Sequence, residues 1–293
     1  MARPRYVAVM PTIQVPIGEY VFDVTEAGPA GAAPVVLLHG FPQTSASFGE
    51  VARLLAADGF RTVALDQRGY SPGARPLNVA DYEMVHLVAD VLGLLDALGV
   101  EKADLVGHDW GSVVAWNVAA HAPERVRTLT AVSVPHPRAF FELLTGRGAD
   151  ADEQREKSAY MQLFRMAGGK AEEVLLSDGG SPLRAVYTPI ADRLRDPHIE
   201  ALSRPGALTA ALNWYRAMEP KAAARVAAVS APTTFVWSNG DVAIGRAAAE
   251  GCAAHVTGEY AFVELDGVSH WIPDEAPAAL AAAIASRVRS VPA

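Results

Sequence analysis

The sequence predicts an α/β fold: a doubly wound, mostly parallel sheet interrupted by an inserted helical cap. Three observations point to it. Short, continuous apolar runs alternate with segments of helical period up to about residue 135, the alternation stops over 136–222, and it resumes after Pro232. The predicted units are therefore 1–135 (first part of the core), 136–222 (cap) and 223–293 (second part of the core).

Taken in order, Ile13, Val15 and Ile17 and then Tyr20 to Val24 predict two short strands, an antiparallel pair. Pro34 to Leu38 is apolar without alternation and ends in His39-Gly40, as a central strand buried on both faces does. A helix over 47–57 stops at Gly59, and Phe60 to Leu65 is the next buried strand, closed by Asp66-Gln67-Arg68-Gly69. Residues 80–98 place Val85, Val88, Leu92, Leu95 and Leu98 at helical spacing before Gly99. Asp104-Leu105-Val106 runs into Gly107-His108-Asp109-Trp110-Gly111, then a helix from Ser112 to His121 and a strand from Val126 to Val134. The stretch 136–222 reads as helices parted by Gly/Pro loops such as Gly179-Gly180-Ser181-Pro182. The core resumes with strand Thr233 to Trp237, helix 245–254, strand Tyr260 to Leu265 and helix 275–288.

Composition removes several function classes. Of 293 residues, 51% are hydrophobic and 20% charged, so a large core can form and wholesale disorder is excluded. With 25 Lys and Arg against 33 acids, the net charge of −8 repels polyphosphate, and no basic stripe carries spaced aromatics, so no nucleic-acid partner is expected. The single cysteine, Cys252, excludes an internal disulfide and a thiolate-rich metal site, and fits a cytoplasmic protein. Arg3 and Arg5 precede an apolar run, Tyr6 to Met10, that breaks at Pro11, too short for a signal-peptide core. The longest uncharged stretch, 27–49, is punctuated by Gly, Pro and His39, so no membrane partner is expected. A homodimer is left open.

Chemistry concentrates at Gly107-x-Asp109-x-Gly111, between an apolar strand and a helix. Glycines on either side of a central residue permit the tight strand-to-helix turn that lifts its side chain above the sheet, the geometry of a nucleophile elbow. The central residue is Asp109, while Ser112 lies outside the turn, so a serine esterase does not fit. A carboxylate with a pKa of about 3.9 is already ionised at neutral pH and needs no activating base. It attacks amides and esters poorly, and suits an sp³ carbon bearing a strained or good leaving group. The product is an enzyme ester that water must hydrolyse. The competing view of Asp109 as a plain helix cap leaves both flanking glycines unexplained.

Ester hydrolysis needs a base and an acid that orients it. His270, in Gly267-Val268-Ser269-His270-Trp271, follows the last strand and is the candidate base. His39 and His108 are expected to pack or bond locally, and His121, His136, His198 and His255 show no partner in the sequence. Asp241, just past the strand ending at Trp237, is the candidate acid, since the site after Val134 offers only Pro135, His136 and Pro137. The amides of Phe41, in His39-Gly40-Phe41-Pro42, and of Trp110 are the candidate oxyanion donors. Phe41, Trp110, Phe140, Trp214 and Met218 are expected to make an apolar pocket.

Assembled, these pieces resemble the epoxide hydrolases of the α/β-hydrolase superfamily across nearly the whole chain. The matching motifs are His39-Gly40-Phe41-Pro42, Asp66-Gln67-Arg68-Gly69-Tyr70, Gly107-His108-Asp109-Trp110-Gly111, the Asp241 loop, and Ser269-His270-Trp271 with Pro273 and Glu275. The resemblance implies an α/β-hydrolase fold, a small apolar epoxide and water as reactants, a vicinal diol as product, and neither metal nor organic cofactor. In that family two cap tyrosines hold the epoxide oxygen. Asn213-Trp214-Tyr215-Arg216 matches the second tyrosine motif, and Tyr160 falls where the first is expected, although Arg165 stands where the family commonly has Gln. A haloalkane dehalogenase with the same nucleophile is the runner-up. It would more often show Asn after His39-Gly40, where this chain has Phe41. A non-catalytic binding member of the fold is a third reading, against which the complete triad stands.

Overall fold

The structure, a computed structural model, describes residues 12–292. The apolar run Tyr6 to Met10, with Arg3, Arg5 and Pro11, lies outside the described residues. Eight strands form one sheet in the order β1-β2-β4-β3-β5-β6-β7-β8. They are β1 (Thr12–Ile17), β2 (Tyr20–Ala27), β3 (Pro34–Leu38), β4 (Arg61–Leu65), β5 (Ala103–His108), β6 (Val126–Val132), β7 (Thr233–Ser238) and β8 (Tyr260–Leu265). β1 pairs antiparallel with β2 and β2 with β4, and every other pairing is parallel.

Helices cover both faces, which is why β3 has no polar side. Val35 and Leu37 of β3 face α1 (Gly49–Ala57) and α13 (Pro277–Arg289), packing in one cluster with Val51, Leu55, Leu280 and Ile284. Val36 and Leu38 belong to the opposite cluster, with α2 (Met84–Ala97) and α3 (Trp110–His121). Each such aliphatic side chain, fully withdrawn from water, contributes about 1.5–3 kcal/mol. α3 is buried on nearly all sides, as an apolar helix between sheet and further helices must be.

Between β6 and β7 lie α4 (Pro137–Thr145), α5 (Ala149–Lys157), α6 (Met161–Phe164), α7 (Lys170–Val186), α8 (Asp192–Leu202), α9 (Ala207–Ala217) and α10 (Pro220–Ala223), with no strand among the described residues there. α7 is interrupted at Ser177–Gly180, whose non-helical dihedrals take in Gly179 and Gly180 of the expected Gly179-Gly180-Ser181-Pro182 loop. α11 (Arg246–Glu250) and α12 (Ile272–Glu275) complete the set. No helix among the described residues is long and apolar enough to cross a membrane.

Local departures from the sequence expectations have physical causes. The helix expected over 80–98 is broken at Glu83, which is extended, and its buried face is Leu87, Asp90, Val91, Leu94 and Leu95. Val85, expected on that face, is 65% exposed. Two features turn the helix. Asp90 binds Arg68 with two bonds of 2.7 Å, and Gly93 sits so close to β1 that a Cβ would be 2.3 Å from Ile17 Cγ2. α3 begins at Trp110 rather than Ser112, β6 ends at Val132 because Ser133 has φ 64°, and the last helix is split at Ala276 into α12 and α13.

Candidate active site

β5 ends at His108 and α3 begins at Trp110, so Asp109 alone makes the turn, with φ 54° and ψ −122°. A non-glycine residue there carries strain of order 1–3 kcal/mol, which persists only when the surroundings enforce it. Here they do. A Cβ on Gly107 would lie 2.2 Å from Gly111 O, and one on Gly111 would lie 1.9 Å from Leu38 O, so α3 enters against the ends of β3 and β5 through two glycines. Gly40 has the same role toward the carboxylate: a Cβ there would be 2.2 Å from Asp109 Oδ1 and 2.6 Å from Trp110 N. That close approach lets Phe41 N–H donate to Asp109 Oδ1 at 2.7 Å. The Phe41 amide is thus on the carboxylate, and the Trp110 amide borders the same space.

Across the carboxylate stands His270, its Nε2 3.4 Å from Asp109 Oδ2. Its Nδ1 lies 2.8 Å and 3.0 Å from the two carboxylate oxygens of Asp241. The turn after β7 fixes Asp241, whose Oδ1 accepts from the amides of Ala243 (2.8 Å) and Ile244 (3.0 Å). The Nδ1 proton therefore faces Asp241, leaving Nε2 toward Asp109. Burial would push the His270 pKa down, but the charge of Asp241, then the hydrogen bond and charge of Asp109, reverse this and raise it to about 10. The imidazole is held as a cation between two carboxylates.

Opposite the triad, Tyr160 and Tyr215 project from the helical stretch. Tyr215 packs edge-on to Trp110 at 5.2 Å between ring centroids and to Phe41 at 5.3 Å, and Tyr160 stands 6.4 Å from Tyr215. Tyr160 is 38% exposed overall, yet it lines the cavity above Asp109 with Tyr215. Burial, then the charges of Asp109 and Asp241, push the Tyr160 phenol up, with a hydrogen bond from Tyr215 opposing. Burial, Tyr160 and Asp109 push Tyr215 well up, with hydrogen bonding by Trp110 opposing. Both phenols keep their protons. The cavity holds about 570 Å³ and is bordered by Trp110, Phe140, Trp214 and Met218, as expected from sequence. Phe41 is a correction: it is not among the lining residues, because its ring is buried against Phe164 at 4.9 Å and against Tyr215.

The alpha/beta hydrolase fold family matches residues 33–277. The chain belongs to that family. This α/β-hydrolase is 32% identical over 296 aligned positions to epoxide hydrolase A of Mycobacterium tuberculosis, covering 89% of this chain and 92% of that one. It is 33% identical to the AB hydrolase superfamily protein YfhM of Bacillus subtilis, over 87% of this chain and 90% of that one. Among solved structures, an epoxide hydrolase of the alpha/beta hydrolase superfamily from hot-environment metagenomes superposes with a TM-score of 0.85 at 28% identity, covering 96% of this chain and 99% of that one.

The α/β-hydrolase also uses groups that local sequence does not reveal. The His270 carbonyl accepts from His108 Nε2 (2.8 Å) and Ser133 Oγ (3.0 Å), which clamps the loop carrying the imidazole. His39 is bonded to its neighbour Gly40 O, as expected, but its Nε2 also accepts from Gln67 N at 3.1 Å, tying the Gly40 turn to the end of β4. His198 and His136, which show no partner in the sequence, have distant ones. Thr44 N–H donates to His198 Nδ1 at 3.1 Å, and His136 bonds Ala227 O at 3.1 Å and stacks on His255 at 4.8 Å. These partners are far apart in the chain, so no local sequence signal marks them. Among the described residues, no cluster of three or more His, Cys, Asp or Glu is placed to hold a metal.

Proposed function

We propose that this α/β-hydrolase opens epoxides to vicinal diols through an ester on Asp109, with the helices over 136–222 acting as its cap. The observation that carries the reading is the placement of two neutral phenols, Tyr160 and Tyr215, on the cavity floored by a carboxylate. An epoxide oxygen leaves as an alkoxide and needs a proton donor, whereas a halide leaves unprotonated. Relatives bearing the epoxide hydrolase name support the same reaction.

The steps balance as follows. Tyr160 and Tyr215 bind the ring oxygen while Asp109 Oδ2 attacks a ring carbon from the opposite side. One C–O bond forms, the ring C–O bond breaks, and a tyrosine proton goes to the departing oxygen. Holding both reactants in line removes roughly 7–11 kcal/mol of barrier. The His270 imidazolium restores the tyrosine proton. That transfer is favoured because esterified Asp109 has lost the charge that helped raise the imidazole's pKa. Neutral His270 then takes a proton from water, and hydroxide adds to the Asp109 carbonyl carbon. The oxyanion rests on the Phe41 amide with the Trp110 amide beside it, each such donor being worth about 2.7–4 kcal/mol. Collapse breaks the ester C–O bond, the departing alkoxide takes the proton of the added hydroxyl, and the diol leaves with the Asp109 carboxylate and the His270 imidazolium regenerated.

A panel of terminal epoxides beside matched haloalkanes tests the reading. Diol formation without halide release is the expected result. Halide release without diol would reassign the leaving group, and silence toward both would leave a binding protein.

A further inference from the structure

The cavity is larger than a minimal epoxide needs, and it carries a polar side chain on α3 well away from Asp109. Its 570 Å³ is nearly four times the roughly 150 Å³ that suffices for benzene. One wall is a stripe of α3, where Trp110, Val113 and Asn117 recur at helical spacing and all border the cavity. Asn117 is only 5% exposed. Its Nδ2 donates to Val113 O at 2.8 Å, which fixes the orientation of the amide. No described residue donates to its Oδ1, and Asn117 borders the cavity beside Val113, Val134, Phe140 and Met218, with Glu83, Glu219 and Arg225 elsewhere on the same lining. A carbonyl that an apolar ligand covers without offering a donor costs about 1–3 kcal/mol, so the site favours a ligand that brings one.

The separation sets where that donor must be. Asn117 stands eight residues beyond Asp109, or about 12 Å at about 1.5 Å per residue of helix. An extended chain of single bonds covers that span in about ten bonds, by the reach of about 3.5 Å per three backbone bonds. We infer that the preferred substrate is an extended lipophilic epoxide bearing a hydroxyl about ten bonds from the ring, whose O–H donates to Asn117 Oδ1. The inference rests on the epoxide reading above and makes Asn117 a specificity-determining residue.

The test compares kcat/KM for 1,2-epoxybutane, 1,2-epoxyundecane and 10,11-epoxyundecan-1-ol in the wild type and in Asn117→Leu. The wild type should favour the hydroxylated chain over 1,2-epoxyundecane by about tenfold, the size expected for satisfying a buried acceptor. That ratio should collapse in Asn117→Leu. The wild-type comparison stands without any variant. If 1,2-epoxybutane is opened but the hydroxyl confers no preference, or if the preference survives in Asn117→Leu, the inference is wrong and the epoxide reading stands. If none of the three is opened, the epoxide reading falls and carries the inference with it.

Discussion

At Asp109 two demands meet on one side chain. It stands clear of the sheet, which a φ of 54° achieves, and in the proposed reaction it must receive both an electrophile and, later, a water. Its neighbours divide the labour: the Phe41 amide holds Oδ1, and His270 faces Oδ2. In the proposed reaction the phenols opposite act only while the ring opens. Tyr215→Phe is therefore expected to slow alkylation by about 100-fold, the lower range for losing a general acid, and to slow ester hydrolysis much less. Single-turnover kinetics that resolve formation and decay of the ester would check this. Equal slowing of both steps would remove the acid role from Tyr215. Asp109, Asp241 and His270 were legible in the sequence because each sits in a short motif at the end of an apolar run. Phe41 was legible as an amide but misplaced as a ring, since its packing against Phe164 and Tyr215 is a tertiary fact. Asn117 gave no signal, because nothing around it in the chain marks which face of α3 looks into the cavity.

At the scale of elements, α9 must present Tyr215 at a fixed height above α3. The bond from Trp214 Nε1 to Arg68 O, at 2.8 Å, ties that helix to the loop after β4. Arg68 is itself locked by Asp90 on α2 and by a 3.0 Å bond to Asp81 O. The Asp66-Gln67-Arg68-Gly69 motif thus serves as a bracket between the core and the helical stretch. Trp214→Phe keeps an aromatic ring, removes the donor and leaves a small space where the rest of the buried indole stood. It should cost at least about 1 kcal/mol in urea unfolding, from the lost bond and the space left behind, and should lower the alkylation rate more than the rate of ester decay. Unaltered alkylation would mean that α9 is seated by apolar packing alone. Strand existence and order along the chain were readable from apolar runs because a sheet covered on both faces leaves no polar alternation. Helix faces were less readable: the buried Asp90 and the approach of Gly93 to Ile17 turn α2 away from the face its valines suggest.

Across the whole molecule, buried histidines should make stability fall on both sides of neutrality. His108, His136 and His198 are pushed down to about 4, 4 and 3, burial being the largest cause in each. Their neutral forms belong to the fold, so their contribution is present above the unfolded value of about 6.5 and is lost as pH falls below it. His270 has the opposite sign. With its pKa raised to about 10, its contribution is complete below about 6.5 and is lost as pH rises toward 10. Thermal midpoints measured across this range should show both limbs, and His270→Gln should flatten the alkaline one while leaving the acid one. An unchanged alkaline limb would show that the imidazole is not held as a cation between the two carboxylates.

The covalent route makes a demand that no direct attack of water on the ring can meet. During one turnover of excess enzyme in ¹⁸O-water, the solvent oxygen adds to the carbonyl carbon of the ester, and the diol departs with an oxygen that had belonged to the protein. Peptide mass spectrometry should then find a 2 Da increase confined to the peptide containing Asp109, with the new diol oxygen unlabelled. Label in the diol and none in that peptide would contradict the account.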